Sequence, residues 1–319
     1  MASGAVSVSE EFFSFDELET IQKRAKNEGF SNISFIEAID PEKKFKEYYK
    51  NYLRKKLFFD LHYLSRIRLR FKIKKLFENV QTIGVFTFPY YSKSSDKQME
   101  GAKYKVSRFA RGTDYHYLLK KKLQTISSSI ESARVVCDST PLLERYYALK
   151  SGAGFIGRNT MLINEESGSY FLLAFILFSK KLPLSYNLKK TEYDEQFAKC
   201  GSCYRCVDAC PGGALDGEGH LDVAKCYSYW SIENRRNEIP SIFKNKEWIY
   251  GCDLCQESCP YNSQPVETDE TDLMPSKAAL ELAEGRVENI SRSVLNFSSF
   301  TRAGKRGLQR NKSFCDLES

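Results

Sequence analysis

No apolar run in the 319 residues approaches the ~20 that a membrane helix needs. The amino terminus reads MASGAVSVSEEFFSFDELE, which is polar and acidic, so no secretory leader is expected there. A secreted disulfide scaffold is therefore disfavoured, and a cytoplasmic location without membrane contact is expected. The chain shows no Gly-rich phosphate loop and no internal repeat beyond its cysteine runs. Histidine is scarce, at three, and neither His62 nor His220 falls in a ligand pattern. Global disorder is excluded as well, because 42% hydrophobic and 28% charged residues suffice for a packed core. The length suits one large or two ordinary domains. The net charge of +7, from 48 Lys+Arg against 41 Asp+Glu, admits a polyanionic partner without demanding one.

What the sequence does have is cysteine. Eight of its ten cysteines fall between residues 200 and 259. The first group, Cys200-Gly-Ser-Cys203-Tyr-Arg-Cys206-Val-Asp-Ala-Cys210-Pro211, has the bacterial ferredoxin spacing C-x2-C-x2-C-x3-C-P. The second has Cys226, a long insertion, then Cys252-Asp-Leu-Cys255-Gln-Glu-Ser-Cys259-Pro260. In such runs the compact loop wraps one corner of an iron–sulfur cube. The cysteine before proline starts a helix that points away, and it ligates the other cluster. The expected sets are Cys200, Cys203, Cys206 and Cys259 for one [4Fe-4S] cluster, and Cys210, Cys226, Cys252 and Cys255 for the second. The rival is a pair of four-cysteine zinc sites, but zinc motifs seldom repeat this spacing twice. Cys137 and Cys315 read as a buried thiol and a tail thiol.

Along the chain, residues 16–28 have helix composition with Gly29 as a stop, and 33–39 form a short apolar segment. Residues 44–78 look helical and basic. Nine Lys/Arg stand between Arg54 and Lys75 against a single acid, Asp60. Residues 82–88 and 133–137 read as strands, and 115–130 as a helix. Thr140 suits an N-cap and Pro141 the first helical position, for a helix running to Gly152. Residues 161–164 and 170–178 read as strand, turn and strand. The expected fold class is α+β. An α/β layered domain covers 1–185, and a ferredoxin-like two-cluster module covers 186–265. An acidic linker and a basic tail, with one helix near 276–284, cover 266–319 and pack back on the first domain.

Several segments together resemble the epoxyqueuosine reductase family, the cobalamin and iron–sulfur enzymes of queuosine synthesis in tRNA. They are Ser107-Arg-Phe-Ala-Arg-Gly-Thr-Asp-Tyr-His116, Asp138-Ser-Thr-Pro-Leu-Leu-Glu-Arg145 and Gly152-Ala-Gly-Phe-Ile-Gly-Arg-Asn-Thr-Met-Leu-Ile-Asn164. Both cysteine runs, the stretch from Cys226 to Glu233 and the end from Thr301 to Asn311 complete the match. The sequence departs at Phe109, where the family commonly has Tyr, and at Asn159, where it has His. Longer members carry a C-terminal helical-repeat extension, and none is expected within these 319 residues.

The resemblance implies reduction of the epoxide of epoxyqueuosine at the tRNA wobble position. Electrons would pass from an external low-potential donor through two clusters to cobalamin. The family's proton donor maps onto Asp138, whose bland alternative is a helix-capping Asp at a strand end. Burial against the corrin is expected to raise its pKa against the pull of a helix N-terminus. Asn159, Thr160, Ser228 and Asp253 lie in matching stretches that could line the cobalamin pocket. His116 reads as a structural partner, so cobalamin is expected without a protein imidazole below cobalt. The basic stretch 54–75 and Arg302, Lys305, Arg306, Arg310 and Lys312 are candidate tRNA phosphate contacts, against the plainer alternative of a solvated face. A monomer is expected, since tRNA needs a free face. The rivals are a reductive-dehalogenase-like corrinoid enzyme, a ferredoxin-type electron-transfer protein and a zinc-bearing RNA-binding module.

Overall fold

Four strands form the central sheet in the order β1 (Asn32–Glu37), β2 (Thr82–Pro89), β7 (Phe171–Phe178) and β4 (Ala133–Val136), every pair antiparallel. The computed structural model describes residues 11–187, 197–244 and 246–317. The leader reading of residues 1–10 lies outside them, as does most of the expected junction after 185. Among the described residues no helix is long and apolar enough to cross a membrane.

Both faces of the sheet are covered, which explains why β2 and β7 read as continuous apolar runs rather than alternating ones. Phe86, Phe88, Ala174, Ile176 and Phe178 face helices Phe15–Asn27 and Tyr115–Ser127. Ile83, Val85, Phe175 and Leu177 face helix Glu144–Lys150 and the chain around Phe45 and Phe71. The first helix starts on a capping box, with Ser14 and Glu17 each satisfying the other's backbone N–H.

Three local expectations are corrected. Residues 44–78 are not one helix. The helix Lys43–Arg54 stops, Lys56 and Phe59 turn left-handed at φ 55° and 50°, and only short helical turns follow. The reason is tertiary. The Phe59 ring packs on Tyr229 and Trp230 at centroid distances of 5.5 and 5.9 Å, and the Leu57 carbonyl accepts the Val223 amide. Next, the helix expected from Pro141 starts at Glu144. Asp138 is left-handed at φ 46°, the Leu142 amide turns back onto the Thr140 carbonyl, and Leu142 and Leu143 are buried. Its end at Gly152 (φ 74°) is as expected. Lastly, the turn at Asn164–Gly168 is real, but its flanking strands part company. β6 (Leu162–Ile163) pairs with β5 (Phe155–Ile156), while β7 joins the main sheet.

Packing crosses the expected boundaries near 185 and 265. β3 (Lys105–Val106) pairs in parallel with β8 (Trp248–Tyr250), which joins the first half of the chain to the cysteine region. Helix Lys277–Ala283, capped by Ser276, completes the same core with Val106, Tyr250 and Leu308. The basic end is itself a helix, Gly304–Asp316. Asn311 is fully buried there and donates to the carbonyls of Ser231 and Ile249 at 2.7 and 2.9 Å.

Phe178 is fully buried at the junction of the sheet with Phe13, whose ring lies edge-on at 5.2 Å. Phe178→Ala is expected to destabilise the fold by about 3–5 kcal/mol. Urea unfolding followed by circular dichroism measures it, and an unchanged midpoint would contradict this packing.

Candidate metal centres and catalytic aspartate

The cysteine runs fold as two equivalent turns, Arg205–Asp208 and Leu254–Glu257, packed on one another. Each C-x2-C loop feeds such a turn, and each turn ends at Cys-Pro. Gly212 follows the first Cys-Pro because the Lys225 carbonyl oxygen occupies the space that a Cβ would need. Cys200, Cys203, Cys206 and Cys259 line one cavity of about 260 Å³, together with Arg158 and Asn159. Cys210, Cys226, Cys252 and Cys255 form the other group. The Cys255 thiol is pushed up by burial and then by the charges of Cys252, Cys226 and Cys210.

Burial and crowding push Cys206 up to about 11, and burial above all pushes Cys252 to about 12. Thiols this close make poor thiolates by themselves, and a cationic centre between them reverses that balance. Backbone amides already point at the sulfurs. Ala214 donates to Cys210 Sγ at 3.2 Å, and the amides of Ser228 and Tyr229 favour the Cys226 thiolate. Among the described residues no three Cys, His, Asp or Glu side chains are set tightly enough for a single metal ion. Four thiols around a cavity of this size suit a cluster better than one zinc.

Asp138 stands at the end of β4, and its side chain is 62% exposed. The Tyr115 hydroxyl donates to its Oδ2 at 2.8 Å, and His116 Nε2 lies 3.4 Å from the same oxygen. The other ring nitrogen of His116 is 2.7 Å from Asp114, and its ring stacks on Tyr115 at 4.1 Å. Helix Glu144–Lys150 clamps the site from below. Glu144 accepts the Asp138 amide at 2.7 Å, and Arg145 donates to the carbonyl of Thr160 at 2.8 Å. Both clamped residues are left-handed, at φ 46° and 62°. For a β-branched threonine that conformation is strained.

The protein neighbours of Asp138 act against the expected rise in its pKa. The protein packed around Asp138 favours the neutral acid although the carboxyl is open to solvent, but hydrogen bonds from His116 and Tyr115 outweigh this and hold the carboxyl below its ordinary range. Burial also works against a charged His116, yet Asp114 and Asp138 raise it to about 9. Glu144 goes the other way, lifted by burial and the Asp138 charge to about 8. At neutral pH the site therefore holds its protons on His116 and Glu144 while Asp138 is charged.

Comparison with known proteins agrees with the cysteine geometry. A family described as a 4Fe-4S double cluster binding domain matches residues 199–262, and one described as Epoxyqueuosine reductase QueG matches 70–139. An epoxyqueuosine reductase of Cyclobacterium marinum is 32% identical over 312 residues, covering 94% of this chain and 97% of the relative. The chain belongs to the epoxyqueuosine reductase family. The family member from Leadbetterella byssophila is 32% identical over 83% of this chain and 85% of its own. The Streptococcus thermophilus epoxyqueuosine reductase superposes with a TM-score of 0.72 at 27% identity, covering 94% of this chain and 80% of that one. An epoxyqueuosine reductase solved with an epoxyqueuosine-modified tRNA-Tyr stem loop gives 0.73 at 26% identity, covering 94% and 81%.

Of the other expected site residues, Asp253 turns its carboxylate inward. It is 2% exposed and faces the protein: Ser107 Oγ donates at 2.6 Å, the Arg108 amide at 2.9 Å and the Arg108 guanidinium at 3.4 Å. Asn159 is buried as well. It reaches the Cys255 carbonyl at 3.2 Å while lining the cavity of the other cysteine set, so it joins the two groups. Thr160 is half-buried, and the Ser228 hydroxyl lies 3.5 Å from the Cys252 carbonyl.

In the tail, Arg310 spends its guanidinium on the carbonyls of Trp230, Asn234 and Arg236. It holds structure through these bonds. Arg302 pairs with Glu233, Lys305 reaches the Glu288 carbonyl and Arg306 reaches Asn237, all three exposed, with Lys312 half-buried. Glu144, Arg145 and Tyr115 were missed as site residues. Their signal was present, since all lie in segments that carry the family resemblance.

Arg108 also binds Asp96 and Glu257, so removing Asp253 leaves it partly compensated. Asp253→Ala is expected to cost about 1–3 kcal/mol through its lost hydrogen bonds. A lowered melting temperature in differential scanning calorimetry checks this, and wild-type stability would remove the anchoring role.

Proposed function

We propose that this chain is an epoxyqueuosine reductase acting on tRNA, converting the epoxide to the alkene with two electrons, two protons and loss of water. One observation carries it: Asp138, held by Tyr115, His116 and Glu144, belongs to a chain that matches epoxyqueuosine reductases nearly end to end. Cys200, Cys203, Cys206 and Cys259 would hold one [4Fe-4S] cluster, and Cys210, Cys226, Cys252 and Cys255 the other. With Asn159 between them, the two sets make a path for single electrons from an external low-potential donor. Cytoplasmic location and a monomeric state fit a tRNA substrate.

Asp138, Thr160 and Ser228 would contact cobalamin. His116 has both ring nitrogens engaged by carboxylates, which fits a corrinoid held without a protein imidazole. When bound, cobalamin supplies low-valent cobalt chemistry able to open a carbon–oxygen bond. Of the two protons, the second comes from solvent, and the protein's own contribution is the first. His116 stores it, Asp138 takes it at Oδ2 and delivers it to the departing epoxide oxygen, and Asp114 keeps the imidazole charged. The leaving oxygen grows more basic as the bond opens, so transfer is downhill at that moment.

Anaerobically purified protein is expected to carry iron near eight per chain and, with added cobalamin and a strong reductant, to convert epoxyqueuosine-containing tRNA, read by nucleoside mass spectrometry. Zinc without iron would overturn this reading. Asp138→Asn should lose roughly 10²–10⁴-fold in rate. The active form carries the His116 proton, so the rate should hold through neutral pH and fall as pH rises through about 9. His116→Gln should lose that alkaline limb. An active Asp138→Asn enzyme with the wild-type profile would take Asp138 out of the role.

Arg302, Lys305, Arg306 and Lys312 remain the proposed phosphate contacts. tRNA affinity should then fall with salt at a log–log slope of roughly −0.7 to −0.9 per contact. A flat dependence in filter binding would refute them.

A further inference from the structure

One exposed aromatic ring in the basic stretch has no part in the chemistry above. Tyr63 lies in the short turn His62–Ser65, in the middle of the basic stretch, and is 42% exposed. The turn is well held. The Ser65 hydroxyl donates to the His62 carbonyl at 2.7 Å, the Tyr49 hydroxyl to the Leu64 carbonyl at 2.8 Å, and the Arg66 amide to the Tyr63 carbonyl at 3.4 Å.

The surroundings of the ring are charged. The Arg70 guanidinium stands 6.0 Å from its centroid, and Arg70 Nε is buried without a hydrogen-bond partner among the described residues. Burial, and then the charges of Glu233 and Asp138, raise the phenol, while Arg302 and Arg70 oppose them. Asp138 and Tyr63 likewise act on Arg302, which is fixed on Glu233 at 2.6 Å. The Tyr229 hydroxyl donates to Asp60, three residues before the ring, Arg302 pairs with Glu233 of the same turn as Tyr229, and the Asp114 amide bonds the Phe297 carbonyl shortly before Arg302, so the contacts run from the Tyr63 turn through Arg302 to the segment that holds Asp138.

We propose that Tyr63 is the platform on which a nucleobase of the substrate RNA loop stacks, with Arg70 behind the ring and Arg302 beside it meeting the adjoining phosphates. This rests on the tRNA reading above and deepens it. Single-stranded loops are gripped by stacking bases on aromatic faces within a positive field, because every base offers a π face. Here the ring is exposed, preset by its turn and backed by a guanidinium, within the basic stretch. The ring, not the hydroxyl, carries the contact.

The test is binding of an epoxyqueuosine-containing anticodon stem loop, by fluorescence anisotropy at fixed salt, to wild type, Tyr63→Ala, Tyr63→Phe and Tyr63→Trp. Tyr63→Ala should weaken binding roughly 5- to 100-fold, in line with the loss of one stacked base. Tyr63→Phe should bind within about two-fold of wild type, because a phenyl ring keeps the stacking face. In Tyr63→Trp, the added RNA should quench the new indole, since the native Trp230 and Trp248 are only 6% and 1% exposed. That quenching tests the contact even if the alanine variant folds poorly. Wild-type affinity in Tyr63→Ala, a phenylalanine variant as weak as alanine, or an unquenched indole in Tyr63→Trp overturns the proposal while leaving the tRNA reading intact. A wild type that does not bind the stem loop at low salt overturns both.

Discussion

The buried carboxylate of Asp253 is the constraint on which the rest of the site depends. It sits at the head of the second cysteine turn and holds the Ser107–Arg108 turn by three hydrogen bonds. Burial raises its pKa, and only the donors facing it make the charged form tolerable. The bond joins two distant parts of the chain. On one side runs the segment 107–116 that supplies Tyr115 and His116. On the other are Cys252 and Cys255. The parallel pairing of β3 with β8 lies beside it, and Arg111 extends the network to Asp96 at 2.6 Å. The distance from the proton-handling groups to the cysteine sets is thus held by a polar network within the chain, not by apolar packing alone.

A second constraint sits at Asp138, where two opposing effects have comparable reach. Removal from water favours a neutral acid, while a protonated imidazole and a phenol favour the anion. The partners win, and the displaced proton preference reappears on Glu144, which is half-buried beside an existing negative charge. The carboxylate pair resembles other close acid pairs in which one member ionises and the other keeps its proton. The left-handed backbone at Asp138 belongs to the same device. It turns the amide toward Glu144 and leaves the side chain free to meet Tyr115 and His116. Strain there is tolerated because the helix start at Glu144–Arg145 fixes both strained residues at once.

Much of this was legible in the sequence, for local reasons. Ferredoxin spacing is a property of a short loop and the helix after it, so the sorting of eight cysteines into two sets needs no distant information. β2 and β7 declare themselves by composition, and Gly152 ends its helix through its own backbone freedom. What was not legible depends on residues far along the chain. Asp253 looks like a pocket residue until Ser107, 146 positions earlier, closes over it. Desolvation of Asp138 could be anticipated from a resemblance, but its charge state needs the positions of His116 and Glu144. Arg310 reads as a phosphate contact in a basic tail, and only the carbonyls of 230–236 show that it is spent internally.

The basic stretch after Arg54 shows the same principle at work in forming a surface. Its composition favours a continuous helix, which would spread its cations evenly around an axis. Phe59 overrides that by docking on Tyr229 and Trp230, next to the second cysteine set. The only acid of the stretch, Asp60, is then used up by the Tyr229 hydroxyl. The chain beyond is folded into short turns against the sheet, with Phe71 and Ile73 buried and Arg66 and Arg68 left outside. The Phe59 contact thereby breaks the helical charge pattern and leaves a basic rim that includes the exposed Arg66 and Arg68. It also connects that rim mechanically to the residues that flank Cys226. The basic stretch and the second cysteine group consequently share one packing support at Phe59.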